Sequence, residues 1–319
     1  MRSIGVPEDS GTKLIVMQIR NGHIRQFKKS MPVYLILLPG LVYFIMFKYV
    51  PMWGMLLAFK NYKPIYGFWD SKWVGLSNFR EFFTNSDFIM LLTNTFILAI
   101  YNIVFYFPIP IILALLIHEI SNKAFKRTVQ SMIYVPHFIS WIVIAGISQA
   151  ILGDTGLING FLDTLGADKV PFLYSSEWFR TTVLIQTLWK ESGWGTIIFI
   201  AALTGINPDL YEAATIDGAN RFSRLWHITL PAIKSTIIIM LILRVGRFLD
   251  TGFEQIFLLL NSMNRQVGEV FDTYVYEIGI IQGRFSYAIA ASIFKSTVGF
   301  ILVILSDKLA KRVGEEGIL

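Results

Sequence analysis

Cysteine is absent from the 319 residues. Disulfides, thiolate metal sites, iron–sulfur clusters and a cysteine nucleophile are excluded with it. Charge is scarce too: 16% of residues are Asp, Glu, Lys or Arg, against about 25% in soluble domains. That deficit, with 54% hydrophobic residues and a mean hydropathy of +0.55, excludes a disordered chain and an ordinary soluble globule. Histidine occurs at 23, 118, 137 and 227 alone, with no short-range ligand spacing, so no metal site is expected. A G-x-x-x-x-G-K-[ST] phosphate loop is missing, which excludes nucleotide binding by that route. Asp-x-x-Asp and His-x-x-x-His clusters are missing as well. No catalytic residue is therefore expected. No repeat, Gly/Ser linker or low-complexity tract breaks the chain, and residues 1–30 carry no signal-peptide pattern.

What is present is apolar sequence in long blocks. Six of them, at about 32–59, 88–117, 128–152, 181–203, 232–260 and 287–305, each suit a bilayer that needs about 20 residues per helix. The pattern predicts an all-α membrane protein with six transmembrane helices. Residues 1–30 form a basic tail, and residues 31–319 the membrane domain. The 26 Phe, 13 Tyr and 8 Trp suit lipid contact and interfacial belts. The net charge of +6 reads through placement rather than as a nucleic-acid signal. Basic residues gather in the tail (Arg2, Lys13, Arg20, Arg25, Lys28, Lys29), in the 118–127 loop (Lys123, Lys126, Arg127), in and just after the 205–231 loop (Arg221, Arg224, Lys234), and at the C-terminal end (Lys308, Lys311, Arg312). The other loops hold fewer over longer stretches. The bias predicts both termini on the cytoplasmic side.

One loop carries the strongest signal. It runs from Gly205 to Pro231 and contains Asn207-Pro208-Asp209, Glu212-Ala213-Ala214, Asp217-Gly218-Ala219 and Ile228-Thr229-Leu230-Pro231. Asn207 suits an N-cap, Pro208 the first helical position, and Asp209 the positive end of the helix. Gly218 supplies the left-handed residue that ends it. Phe222, Leu225 and Trp226 then share a face of a second short helix. The expected element is a helix–turn–helix hairpin.

These elements resemble the EAA loop of ABC-importer permeases. Phe44-x-x-x-Lys48-Tyr49-x-Pro51-Met52-x-Gly54, Tyr134-x-Pro136-His137-Phe138-Ile139-Ser140 and Gly252-Phe253-Glu254-Gln255 resemble its polysaccharide-importer branch. The match spans about 30–315. It implies the type I importer fold, with a permease core at about 88–306 and a coupling hairpin at about 205–231. Glu212, Ala213, Ala214, Asp217, Gly218 and Ala219 would then seat in a cleft of a separate ATPase. Small alanines allow close approach, and the two acids can accept from donors on that partner. The resemblance further implies a second permease forming a heterodimer with this chain, an ATPase dimer that holds ATP and Mg, and an extracytoplasmic solute-binding protein. The chain itself would carry no cofactor and catalyse nothing, and would sit in the bacterial cell membrane as one half of a carbohydrate pathway. Outer segments 60–87 and 153–179 would meet the binding protein, although interfacial anchoring by Trp69, Trp73 and Trp178 explains their composition equally. The alternatives are a membrane-embedded transferase and a permease for a different solute.

Charges within the apolar blocks mark a pathway or an ion-pair network. Block four holds Lys190, Glu191 and Trp194; block five holds Arg244, Arg247, Asp250 and Glu254; block six holds Lys295. Helical spacing would place Arg247, Asp250 and Glu254 on one stripe. Arg244, Arg247 and Lys190 favour an acidic glycan such as a uronate-bearing oligosaccharide, and Glu191, Asp250 and Glu254 can offset them. Trp189, Phe248, Phe253 and Tyr287 are further sugar-stacking candidates. A lone His137 at the start of block three is expected to be a packing group.

Overall fold

The computed structural model describes residues 30–312 and Gly314. They divide into two units, one ending at Leu56 and one beginning at Leu57. The first unit is most of a single apolar helix, α1 (Ser30–Phe59), whose side chains are exposed from Met31 to Trp53 and which is buried only at Ala58 near its end. Its turns widen at Ile45–Tyr49 and tighten from Val50 to Phe59 around Pro51. The expected basic tail lies outside the described residues.

The second unit begins with a two-stranded hairpin, β1 (Lys60–Asn61) against β2 (Lys72–Trp73), and a short helix Ser77–Thr84. Helix α2 (Asp87–His118) follows as a continuous apolar rod. Its prolines, Pro108 and Pro110, follow one wide turn at Asn102–Tyr106, where Phe107 N–H reaches back to Asn102 O at 2.9 Å. That turn frees the carbonyl that Pro108 and Pro110 would otherwise leave or crowd.

The third apolar block is not one helix. α3 (Lys123–Tyr134) ends at a tight turn over Val135–Phe138, Ile139 is extended, and α4 (Trp141–Leu152) starts afresh with Ser140 as its cap. Pro136 causes the break, because it lacks the N–H that would continue the ladder. Helix α5 (Ser176–Thr204) has 29 residues, about 43 Å at 1.5 Å per residue and enough to cross a bilayer. Then come α6 (Pro208–Ile216) and α7 (Arg221–Ala232), the latter bent by 59° from α8 (Lys234–Gly246). The fifth block also differs from expectation. α8 stops at Gly246, and α9 (Phe253–Leu259) restarts after Gly252 at φ +84. The chain closes with α10 (Phe271–Tyr276) and α11 (Phe285–Arg312).

Small residues let the rods approach. A Cβ at Gly246 would meet Val303 at 2.6 Å, and one at Gly299 would meet Gly246 O at 3.2 Å, so α8 and α11 cross on glycines. Gly195 of α5 lies where a Cβ would meet Pro110 Cγ at 3.0 Å and the Tyr106 hydroxyl at 3.2 Å. Apolar clusters fill the spaces between rods. One joins Phe82, Leu91, Phe271, Tyr274 and Tyr287, a second Leu98, Phe179, Val183, Ile256 and Val270, a third Ala114, Phe199, Leu203 and Ile233. At the loop after α9, Arg265 holds Glu269 through bonds of 2.7 and 3.3 Å. Burial nevertheless pushes the Glu269 carboxyl above the usual carboxylate range.

Candidate functional site

The α6–α7 hairpin is built by its own sequence. Asn207 Oδ1 accepts from Asp209 N–H at 3.0 Å, and Pro208 occupies the first helical position. At the other end Gly218 has φ +79. Ala219 N–H donates to Ala214 O at 2.8 Å and Gly218 N–H to Thr215 O at 3.1 Å, the two bonds of a Schellman ending. The last alanine of Glu212-Ala213-Ala214 and the alanine of Asp217-Gly218-Ala219 are thus ends of one hydrogen bond. Asn220 Oδ1 caps α7 through Ser223 N–H at 2.8 Å, and Arg224 Nη1 ties the arms together on Thr215 Oγ1 at 2.9 Å. Glu212, Ala213, Asp217 and Gly218 are exposed, with Ala214 and Ala219 half-buried. No residue of α6 is buried. Leu210, Ile216, Phe222 and Trp226 are exposed apolar groups on the same hairpin.

A second assembly sits midway along α5. Lys190 is 6% exposed, and its Nζ donates to the carbonyls of His137 and Ile139 at 2.6 Å each. Those carbonyls are ones the Pro136 break leaves without a helical donor, and an ammonium has three donors to supply. Glu191 Oε2 lies 3.0 Å from His137 Nδ1, which must carry the proton because a carboxylate only accepts. The imidazole stacks on Trp194 at 4.5 Å and 6°. Gly193 permits this approach, since a Cβ there would fall 1.8 Å from Ile133 O.

Tyr106 joins this group to the next. Its hydroxyl donates to Glu191 O at 3.2 Å, and its ring lies 4.8 Å from the Arg244 guanidinium. Arg244 Nε donates to Asn102 Oδ1 at 2.6 Å. Arg244 is therefore held by an amide and an aromatic face rather than by a carboxylate, and keeps its positive charge available. Asn102, Thr187, Arg244, Arg247, Asp250 and Thr251 line one cleft. Among the described residues, Thr251 Oγ1 in that cleft is buried without a hydrogen-bond partner. Beneath it Gln255 binds Val183 O at 2.8 Å and Gln186 Oε1 at 3.1 Å, and Gln186 reaches Ser148 Oγ at 2.7 Å. This buried network fastens α9 and α4 to α5.

The family described as binding-protein-dependent transport system inner membrane component matches residues 106–315. The chain belongs to that family. Two Bacillus subtilis (strain 168) relatives are each 51% identical to this permease. Protein LplB aligns over 91% of this chain and 92% of its own, and the polygalacturonan/rhamnogalacturonan transport system permease protein YteP over 90% and 89%. A crystal structure of a bacterial alginate ABC transporter in complex with alginate pentasaccharide-bound periplasmic protein contains a chain 36% identical to it. They superpose with a TM-score of 0.84 over 92% of this permease and 99% of that chain. The permease thus has the all-α type I importer fold and is a membrane-embedded transport subunit.

The site residues expected from sequence divide in the structure. Lys190, Glu191 and Trp194 meet, but around His137 and the Pro136 break. His137, expected to pack, instead bridges Glu191 and Trp194. The expected stripe of Arg247, Asp250 and Glu254 does not exist. α8 has ended before Arg247, which lies at φ −103 and ψ 24, and Glu254 stands beyond Gly252, outside the cleft residues. Two glycines bracketing 247–251 explain the difference. Lys295 pairs with Asp272 and lies 3.9 Å from Asp250, so it is a structural ion pair. Tyr287 is a core residue, 2% exposed against Phe82 and Tyr274. Sequence reasoning missed Asn102 and Tyr106, although an amide inside an apolar block is itself a signal.

Proposed function

We propose that this permease forms, with a second permease, the membrane pathway for an acidic oligo- or polysaccharide, energised by ATP and Mg on a separate ATPase dimer and supplied by an extracytoplasmic solute-binding protein. The observation that carries the acidic assignment is the Arg244 contact. A guanidinium held by Asn102 and Tyr106 leaves charge and donors for a carboxylate. Arg247 and the unpartnered Thr251 hydroxyl add donors beside it. The names of the relatives agree, since polygalacturonan and alginate are both polymers of uronate. Neutral substrates would meet the same cleft without an anion to pair, which is why charge is the discriminating variable.

The α6–α7 hairpin is the coupling element in this reading. Its caps make it a rigid body, and its exposed apolar groups with Glu212 and Asp217 suit a docking cleft on an ATPase. Movement of that ATPase would then be transmitted through the bend into α8 and the cleft. Both termini would face the cytoplasm, the side of the hairpin, as the Lys and Arg placement favours. The deciding measurement is ATPase stimulation in the reconstituted complex with its binding protein. Oligogalacturonates should stimulate and neutral oligosaccharides of equal length should not, and Arg244→Gln should abolish the preference. Equal stimulation by both would overturn the acidic assignment and leave the transport role standing.

A further inference from the structure

The hairpin at Lys60–Trp73 is built inside out. Its polar groups are satisfied within it. Lys60 Nζ donates to Phe68 O at 2.7 Å and sits 4.6 Å from the Phe68 ring. Ser71 Oγ donates to Gly67 O at 2.5 Å, Val74 N–H to Phe59 O at 2.8 Å, and Asn78 Nδ2 to Ala58 O at 2.7 Å. Gly67 and Gly75, at φ +67 and +59, make its turns. Its apolar side chains point away: Ile65 is 86% exposed, Trp69 79% and Leu76 67%, with Tyr66 and Trp73 also exposed. Lys63 and Lys72 are exposed among them. Exposed apolar groups on a well-bonded scaffold indicate a surface that is covered in the working protein.

Its depth identifies the cover. Tyr62 N–H donates to Ser286 Oγ at 3.0 Å, and the Tyr62 ring packs edge-on against Phe285 at 5.9 Å. The hairpin is thereby fixed to the first turn of α11, a span of 28 residues. At 1.5 Å per residue that span measures about 42 Å, against a hydrocarbon core of about 30 Å. Its first turn therefore stands in the headgroup layer, and the hairpin with it. Tryptophan and tyrosine with flanking lysines are the groups that settle in that layer. A docking patch for a soluble protein is on average no more apolar than other surface.

We infer that the Lys60–Trp73 hairpin and the turn after it form a membrane-interface anchor, with Ile65, Trp69 and Leu76 seated in the lipid headgroup region and Lys63 and Lys72 meeting lipid phosphates. The chain has no native cysteine, so a single label reports cleanly. Ile65→Cys and Trp69→Cys, each carrying a nitroxide, and Asp168→Cys as an exposed reference, would be placed in the full chain within its complex. The complexes would be reconstituted in phosphatidylethanolamine–phosphatidylglycerol vesicles. Collision with oxygen should exceed collision with a water-soluble nickel chelate at 65 and 69, with the order reversed at 168. Aqueous behaviour at 65 and 69 equal to the reference overturns the anchor. So does protection of either position that appears only when the binding protein is added, which would make the hairpin a protein-docking surface. Two labelled positions keep the test alive if one substitution fails to assemble.

Discussion

The α6–α7 hairpin and the assembly around Lys190 and Arg244 each depend on a glycine, Gly218 in one and Gly193 in the other, yet they are determined differently. Every bond that shapes the hairpin joins residues close in sequence, from Asn207 with Asp209 to Arg224 with Thr215. The assembly around Lys190 and Arg244 joins residues 53 and 142 positions apart. A locally specified element keeps its shape through motion, as a lever must. An element specified by distant partners changes shape when those partners move, as a gated pathway must. The same permease thus places its stiffest information beside the proposed ATPase and its most conditional information in the bilayer.

The sharpest way to break this contrast is Gly193→Ala. The added Cβ would lie 1.8 Å from a backbone oxygen of α3, which no side-chain rotation can relieve. Overpacking typically costs about 1–3 kcal/mol and occasionally more, and a clash with rigid backbone falls at the high end. The variant should be lost from the membrane fraction or melt far below wild type in detergent. Normal yield and melting would show that α3 is not tied to α5 as described.

Gly218→Val comes next and tests the local side. Space for a Cβ is open at this position, so no packing is disturbed. The left-handed backbone is the obstacle, about 1–2 kcal/mol for an L-residue. Insertion and yield should be normal while transport and substrate-stimulated ATPase activity are lost. Gly218→Asn, whose side chain tolerates that backbone, should recover most of both. Failure of Asn to do better than Val would locate the defect in docking rather than in conformation.

Lys190→Met returns to the distant side, with an effect on stability rather than a loss of transport. It removes two charge-assisted bonds to carbonyls without adding volume, for about 1.5–3 kcal/mol of stability. A melting temperature unchanged from wild type would mean that water fills the Pro136 break and that Lys190 is free for another task.

This contrast also explains what could be read in advance. The hairpin was legible down to its cap and its left-handed glycine, because Asn207, Pro208 and Gly218 act on their own neighbours. The six apolar blocks were legible because burial in lipid is a property of composition. The interruptions were not. Pro136 was visible, but whether it kinks or severs a helix depends on Lys190, which waits 53 residues beyond His137 to bind the freed carbonyls. α8 ended at Gly246, packed against α11, and α9 restarted only after the left-handed Gly252, and with that the supposed stripe of Arg247, Asp250 and Glu254 disappeared. Asn102 gained its role only once α8 brought Arg244 against it.

The finest test of the local side is Asn207→Ala, where the expected effect is small and confined. Two hydrogen bonds are lost, both to Asp209: its N–H to Asn207 Oδ1 at 3.0 Å and Asn207 Nδ2 to its carboxylate at 3.3 Å. An N-cap deletion costs about 1 kcal/mol. Because α6 buries none of its residues in this chain, that loss should not propagate into α5 or α8. Amide exchange across 208–216 should rise about fivefold through local fraying, while global melting and exchange in α5 stay at wild-type values. Addition of the proposed ATPase partner should restore slow exchange, since docking there would cover the frayed turn and oppose its opening. If exchange also quickened in α5, the hairpin would be conditional on the membrane core after all. The division between a self-contained lever and a partner-dependent pathway would then have to be redrawn at Gly205 rather than at the bend before α8.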